Sequence, residues 1–306
     1  MIHTPVLLEE VLKYLAPKPS EFIIDGTVDG GGHGSEILRR VLPSGKLLGI
    51  DMDSSMIANV RKRISENIQV PISKFQAHLV LECGNYAGLP EILREKKLPK
   101  ADGLLLDLGF SSEQLASSGR GFSFESDEPL MMTYDDAREP VSELLLKLGE
   151  SELARILREY GEERYAKQIT RAIAEREKEA PILTSYELAE VVRGAVPRGY
   201  ERGRIHPATR TFQALRIYAN DELGNLRRVL GELPDILKAG GRAVVITFHS
   251  LEDRIVKHAF RDMAQRGILE ILTKKPITAS EEELRRNPRS RSAKLRAAQI
   301  SRGSMG

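Results

Sequence analysis

At 306 residues, with 41% hydrophobic and 29% charged side chains, the chain has the make-up of a globular protein long enough for one large domain or a domain carrying an insertion. A formal net charge of +2 excludes a global field that would by itself gather nucleic acid, although acidic SEEEL runs directly into basic RRNPRSRSAKLR. The single cysteine, Cys83, excludes an internal disulfide and a multi-cysteine zinc site, and a lone thiol is expected in the core.

The first segment, MIHTPVLLEEVLKYLAPK, lacks the basic start and unbroken apolar run of a signal peptide, and its apolar stretch is too short to span a bilayer. A cytoplasmic protein without a membrane partner is expected. Within it VLLEEVLKYLA reads as an amphipathic helix, with Leu7, Leu8, Val11, Leu12 and Leu15 on one side. EFIIDGT reads as a buried strand, SEILRRVL as a helix and KLLGIDMD as a second strand. SSMIANVRKRISEN is a helix opened by a serine suited to capping; HLVLEC is a weaker strand, and DGLLLDLG a strong one. This alternation predicts a mostly parallel sheet with helices on both faces.

From 112 to 205 the chain turns charged and helical, with helices VSELLLKL, SELARILREYGEERYAKQITRAIAER and TSYELAEVVRGAV, the last opened by a capping box of Thr184 and Glu187. One long helix, RTFQALRIYANDELGNLRRVLGELPDIL, then leads through the turn KAGGR to a strand, RAVVITF. The expected organisation is an α/β core from 1–111 and 206–306, the latter with a basic tail, interrupted by a helical insertion over 112–205.

Ligands of open parallel sheets bind beyond the carboxyl ends of the strands, and three strands here end in Asp25, Asp51 and Asp107. The first is followed by DGTVDGGGHGS, whose glycines lead into a helix N-terminus that attracts an acidic group. The dinucleotide fingerprint G-x-G-x-x-G fails in both registers, since Ser35 or Ile37 stands at the third glycine. This opposes a nicotinamide-dependent oxidoreductase and favours an adenosine ligand without pyrophosphate, such as S-adenosylmethionine, with Asp51 accepting from ribose hydroxyls. A tight strand–helix turn without a ligand is the alternative.

The stretches HTPVLLEEVL, DGTVDGGGHGS, DGLLLDLGFSSEQL, GRGFSF, YGEERYAKQITRAI, HPATRTFQALRI and FHSLEDRIVK occur in that order, and the tail NPRSRSAKLR follows them. Together they resemble the bacterial ribosomal RNA small-subunit methyltransferase H family, also called MraW. The resemblance implies a Rossmann-like class I methyltransferase core with a helical, RNA-recognising insertion. It further implies S-adenosylmethionine as cofactor, and methylation of the exocyclic N4 amine of a cytidine in the decoding centre of small-subunit ribosomal RNA. The partner is then the small ribosomal subunit, with no DNA expected. Carried over by position, Gly31, Gly32 and His33 contact the cofactor, Asp51 holds its ribose, Tyr86 lies by the adenine, and Asp107 and Gln114 complete the pocket.

Methyl transfer to a cytosine amine needs an in-line approach and an acceptor for the amine hydrogens. Asp107 is the candidate acceptor, or alternatively a strand-end cap. Phe110 is placed to stack on a flipped base. His249 is a second catalytic candidate, or else a structural histidine. Arg120, Arg210, Arg254 and Lys257 are candidate RNA contacts, with Arg198, Arg202, Arg204 and the arginine-rich tail beside them. Phe122 and Phe124 would stack on a base or bury against the insertion. The sequence departs from the family's usual reading at Asp29, Met131 and Thr133.

Overall fold

Short runs of branched apolar residues form the inner strands of a sheet, where both faces are covered. The computed structural model describes residues 5–68, 76–108, 119–135, 137–200 and 205–303. It divides into two compact units, Met1–Gly109 with Leu223–Gly306, and Phe110–Glu222.

In the first unit the strands are β1 (Phe22–Asp25), β2 (Lys46–Asp51), β3 (Leu79–Cys83), β4 (Ala101–Asp107), β5 (Leu237–Thr247), β6 (Leu269–Ile271) and β7 (Lys294–Ile300). Among the described residues they form one sheet of order β3-β2-β1-β4-β5-β7-β6, parallel from β3 to β5, with β7 antiparallel to both of its neighbours. This is an open, Rossmann-like α/β architecture with a mostly parallel sheet.

The period-2 pleat sorts the core. Ile23, Leu47, Leu105, Val244 and Ile246 face one layer, with Val11 and Leu15 of α1 (Leu8–Leu15), Ile37 and Leu38 of α2 (Gly32–Val41) and Val60 and Ile64 of α3 (Ser54–Ile68). Ile24, Leu48, Leu104, Leu106 and Val245 face the other, with Leu93 of α4 (Leu89–Glu95).

The second unit contains α5 (Val141–Lys147), α6 (Glu150–Gly161), α7 (Ala166–Glu179), α8 (Ser185–Ala195) and α9 (Thr209–Asn220) around a separate core that includes Leu157, Ile169, Leu188 and Phe212. The capping box of Thr184 and Glu187 is present. Leu7, Val11, Leu12 and Leu15 are buried as the periodicity of the first helix predicts.

Several expectations are corrected. The helical unit extends to Glu222, beyond the expected boundary at 205, because α9 packs in its core through Phe212, Ala214 and Leu215. The long helix from Arg210 is broken by Asp221, which adopts a left-handed backbone (φ 50°). The chain then continues as α10 (Glu222–Gly231) and α11 (Leu233–Ile236). The helix expected over 151–176 breaks at Glu162 (φ 51°). Beyond that break Glu163 is buried and accepts the Tyr200 hydroxyl at 2.8 Å on both oxygens, a local tie that amphipathic periodicity cannot register.

The turn KAGGR is a bulge inside β5: Ala101 pairs with Leu237, the next pair is Gly103 with Arg242, and Gly240 has φ 79°. Cys83 is exposed rather than buried, because it ends β3 at the sheet's edge. Asp53, not a serine, caps α3, with its Oδ1 accepting from the Ser55 N–H at 2.8 Å.

One arginine of the basic tail, Arg296, is structural, while Arg285, Arg286, Arg289 and Arg291 are exposed. α12 (Ser250–Gln265) carries Asp253, which Arg296 of β7 grips through two nitrogens at 2.6 and 3.2 Å. Arg296 is 7% exposed, so this arginine is spent on a bidentate buried pair rather than on a phosphate. A short helix, α13 (Glu281–Arg286), completes the described elements. None of the described helices is long and apolar enough to cross a membrane.

In the helical unit, the segment with Met131 and Thr133 stays anchored despite its departure from the family's reading. Asn220 donates to the Met132 carbonyl (2.8 Å) and accepts from the Tyr134 N–H (3.0 Å), while Arg120 donates to the Thr133 carbonyl (3.2 Å).

Candidate active site

The glycine loop is built first by packing. Gly31 has φ 77°, and a Cβ there would meet Ile64 and Val60 at 2.9 Å; a Cβ on Gly26 would meet Leu106 at 2.7 Å. These two glycines are therefore required by the protein's own side chains, as well as by whatever approaches the loop. The loop is tied to the neighbouring strands by Val28 N–H to the Ile50 carbonyl (2.8 Å) and Gly26 N–H to the Leu105 carbonyl (2.9 Å). It then enters α2 at Gly32, with no acidic side chain in the first turn.

Around this loop three strand ends and the loop itself bring four carboxyls to one edge. Asp51, 6% exposed, accepts from the Asp29 N–H (3.0 Å) on one oxygen and the Asp53 N–H (2.9 Å) on the other. Asp107, 7% exposed, has its own N–H held by the Thr27 hydroxyl (2.7 Å), and its Oδ2 stands 3.5 Å from His33 Nε2. Asp25 is 1% exposed, and among the described residues its Oδ2 has no hydrogen-bond partner; neither ring nitrogen of His33 has one there. Asp29 sits in a left-handed backbone (φ 45°), a conformation that a short acidic side chain tolerates better than most.

Burial, and then mutual repulsion, raises the proton affinity of Asp25, Asp29 and Asp51. Burial pushes Asp25 up to about 7, against the opposing pull of His33 and the Thr27 N–H, with Asp107 and Asp51 adding repulsion. Burial likewise pushes Asp51 up to about 6, with the N–H groups of Asp53 and Asp29 opposing it. Asp29 is raised well above the ordinary carboxylate range by burial and then by repulsion from Asp51, Asp107 and Asp25.

The sign of the resulting pH dependence follows. A carboxyl raised on folding contributes stability that is present below its unfolded pKa and lost as pH rises through the folded value. The ligand-free protein is therefore expected to lose thermal stability as pH rises from about 4 to about 7, the loss through Asp51 ending near 6 and that through Asp25 near 7. A cationic ligand responds in the opposite sense and binds more tightly as those carboxyls ionise. Thermal denaturation and titration calorimetry across that window check both arms, and Asp25→Asn should flatten the stability profile.

Of the predicted cofactor residues, Gly31, Gly32, His33, Asp51 and Asp107 come together at this edge. Tyr86 follows β3, with its Cβ 3.3 Å from the position a Cβ on Gly26 would take. Gln114 and Phe110 lie outside the described residues, as do Arg202 and Arg204. Sequence reasoning noted Asp25 as a strand end but gave it no role. The signal was available in FIID, a four-residue strand buried throughout, in which an acid has to be there for something other than solubility.

His249 follows β5, and its geometry is that of a helix cap. Its Nδ1 accepts the Glu252 N–H (3.3 Å), Glu252 Oε2 accepts the His249 N–H (3.3 Å), and Nε2 faces Glu252 Oε1 at 3.3 Å. Arg254 and Lys257 are exposed on α12. In the helical unit, Arg210 reaches the Gly161 carbonyl at 3.4 Å. There Phe122 stacks on Tyr134 (5.3 Å between centroids) and Phe124 on His206 (4.3 Å), so both aromatics pack within their own unit.

Chemically, an acidic edge with unpartnered buried polar atoms suits a small ligand carrying positive charge and opposes a pyrophosphate. The sequence profile of the MraW methylase family matches residues 1–301. The chain is 45% identical to the ribosomal RNA small subunit methyltransferase H of Geotalea uraniireducens, covering 97% of this chain and 98% of that one. It is 46% identical to that of Geotalea daltonii, with the same coverage, and 46% identical to that of Syntrophotalea carbinolica, covering 96% of each. The acidic, glycine-lined edge fits the sulfonium and ammonium of S-adenosylmethionine, which is the cofactor, and the chain belongs to the MraW methylase family.

Proposed function

We propose that the protein methylates the exocyclic N4 amine of a cytidine in the decoding centre of small-subunit ribosomal RNA. The observation that carries this reading is the joint one of an acidic edge at Asp25, Asp51 and Asp107 in a chain that matches small-subunit ribosomal RNA methyltransferases end to end. The bound cofactor supplies an electrophilic methyl group on a sulfonium. Asp51, whose two oxygens already hold the loop, keeps lone pairs for the ribose hydroxyls. The backbone at Gly31 and Gly32 and the ring of His33 border the amino-acid end, and Tyr86 the adenine.

Asp107 accepts a hydrogen from the cytosine amine, freeing the nitrogen lone pair from the ring so that it can meet the methyl in line. Asp107 ends β4 and its backbone N–H is held by the Thr27 hydroxyl, so the strand end that carries the carboxylate is fixed before transfer. His249 is given no part in that step, because its Nδ1 is committed to the cap. Phe110 would stack on the base and Gln114 would border the cofactor, while Arg120, Arg210, Arg254 and Lys257 contact RNA phosphates. The test is methyl transfer from labelled cofactor to small subunits that lack the modification, followed by nucleoside analysis. N4-methylcytidine is the expected product; label on another base, or none, would overturn the assignment.

A further inference from the structure

Between α10 and α12, both in the sheet-containing unit, lies a groove of about 430 Å³. Ile255, Ala259 and Met263 form an apolar floor, while Arg227, Arg254, His258 and Arg266 stand around it with one acid, Asp262. The stripe continues along α12, where Lys257 and Arg261 are also exposed. The side chains of Arg227, Lys257, His258, Arg261 and Arg266 make no hydrogen bond or ion pair among the described residues. Many other surface cations are paired, as Arg155 is with Glu152 and Glu159, and Arg193 with Glu190. The other nearby acids of α12 are engaged inward, Asp253 with Arg296 and Glu252 with the cap.

From Lys257 to Arg266, which follows the last residue of α12, the backbone advances ~14 Å at about 1.5 Å per residue, so the exposed Lys257, Arg261 and Arg266 are spread along the helix rather than clustered. A row of exposed cations along a helix complements a chain of regularly spaced negative charges. We infer that the α10–α12 groove is a docking track for the phosphate backbone of the RNA substrate, an additional binding surface on the sheet-containing unit. The inference rests on the reading of the protein as an RNA methyltransferase, and it adds Arg227, His258, Arg261 and Arg266 to the RNA footprint.

Each phosphate neutralised releases counterions, so each cation removed should flatten the plot of log affinity against log salt by about 0.7–0.9. The test uses the full chain and protein-free small-subunit ribosomal RNA over a salt series. In Arg227→Gln/Arg261→Gln/Arg266→Gln the slope is expected to fall by about 2–3. S-adenosylhomocysteine binding by calorimetry should be unchanged, which shows that the fold is retained. Should the triple variant fail to fold, the three single variants should each step the slope down by about one. Lys62→Gln removes an exposed cation, paired with Glu66 on α3, and should leave the slope alone.

An unchanged slope in the groove variants, or an equal fall in Lys62→Gln, would overturn the inference. Weakened binding to intact small subunits with no change on protein-free RNA would also overturn it, pointing to an acidic protein surface as the occupant. If the unsubstituted protein bound no RNA, the methyltransferase reading itself would fall, a result distinct from a failure confined to the groove.

Discussion

Asp51→Ala is expected to abolish cofactor binding in a calorimetric titration. The carboxylate would lose its hydrogen bonds to the ribose hydroxyls, each worth about 1.5–3 kcal/mol when one partner is charged, so two together correspond to roughly a hundred- to ten-thousand-fold in affinity. The substitution also releases the N–H groups of Asp29 and Asp53, which lie at 3.0 and 2.9 Å from its oxygens, and so loosens the loop that borders the rest of the ligand. Asp51→Asn separates the two effects. An amide oxygen can still accept one of those N–H bonds, so the loop is largely kept while the charge is lost. Affinity in the Asn variant should fall between the other two proteins. Undiminished binding in Asp51→Ala would place the cofactor elsewhere.

Asp107→Asn is expected to cut the methyl-transfer rate by about 10²–10⁴, the usual contribution of a positioned proton acceptor. Affinity for S-adenosylhomocysteine should change far less, because the backbone N–H of residue 107 keeps its bond to Thr27. Single-turnover transfer at saturating cofactor and RNA is the measurement that isolates this step. A rate close to the unsubstituted one, with cofactor affinity reduced instead, would make Asp107 a ligand of the cofactor alone.

Much of the sheet-containing unit was legible in the sequence because its signals are local. FIID, KLLGID and DGLLLD are short apolar runs ending in an acid, and each becomes a parallel strand whose last residue reaches the ligand edge. What stayed hidden depends on contacts between distant residues. β6 and β7 pair with one another, and LEI and KLRAAQI carry too few branched apolar residues to declare themselves as strands. Asp221 and Glu162 break helices whose amphipathic pattern runs straight through them, since a left-handed residue leaves no periodic trace.

At the candidate site, Asp51 and Asp107 were legible from their positions at strand ends. The charge state was not, because the rise in proton affinity of Asp25, Asp29 and Asp51 comes from burial and then from repulsion among acids that converge from separate parts of the chain. The glycines were legible as a loop, but only the packing reveals that Gly26 and Gly31 also make room for Leu106, Ile64 and Val60. His249 shows the reverse. A histidine beside a strand end looked chemical, and the structure commits one face of its ring to holding the start of α12.

The position of β7 bears on how the sheet comes together. It lies between β5 and β6, yet it is the last strand along the chain. Until residues 294–300 arrive, β5 presents an open edge and β6 has no strand beside it. Strands β1 to β5 can assemble as synthesis proceeds, but the sheet closes only by a late insertion, and a chain halted before β7 would offer other polypeptides a pairing-competent edge.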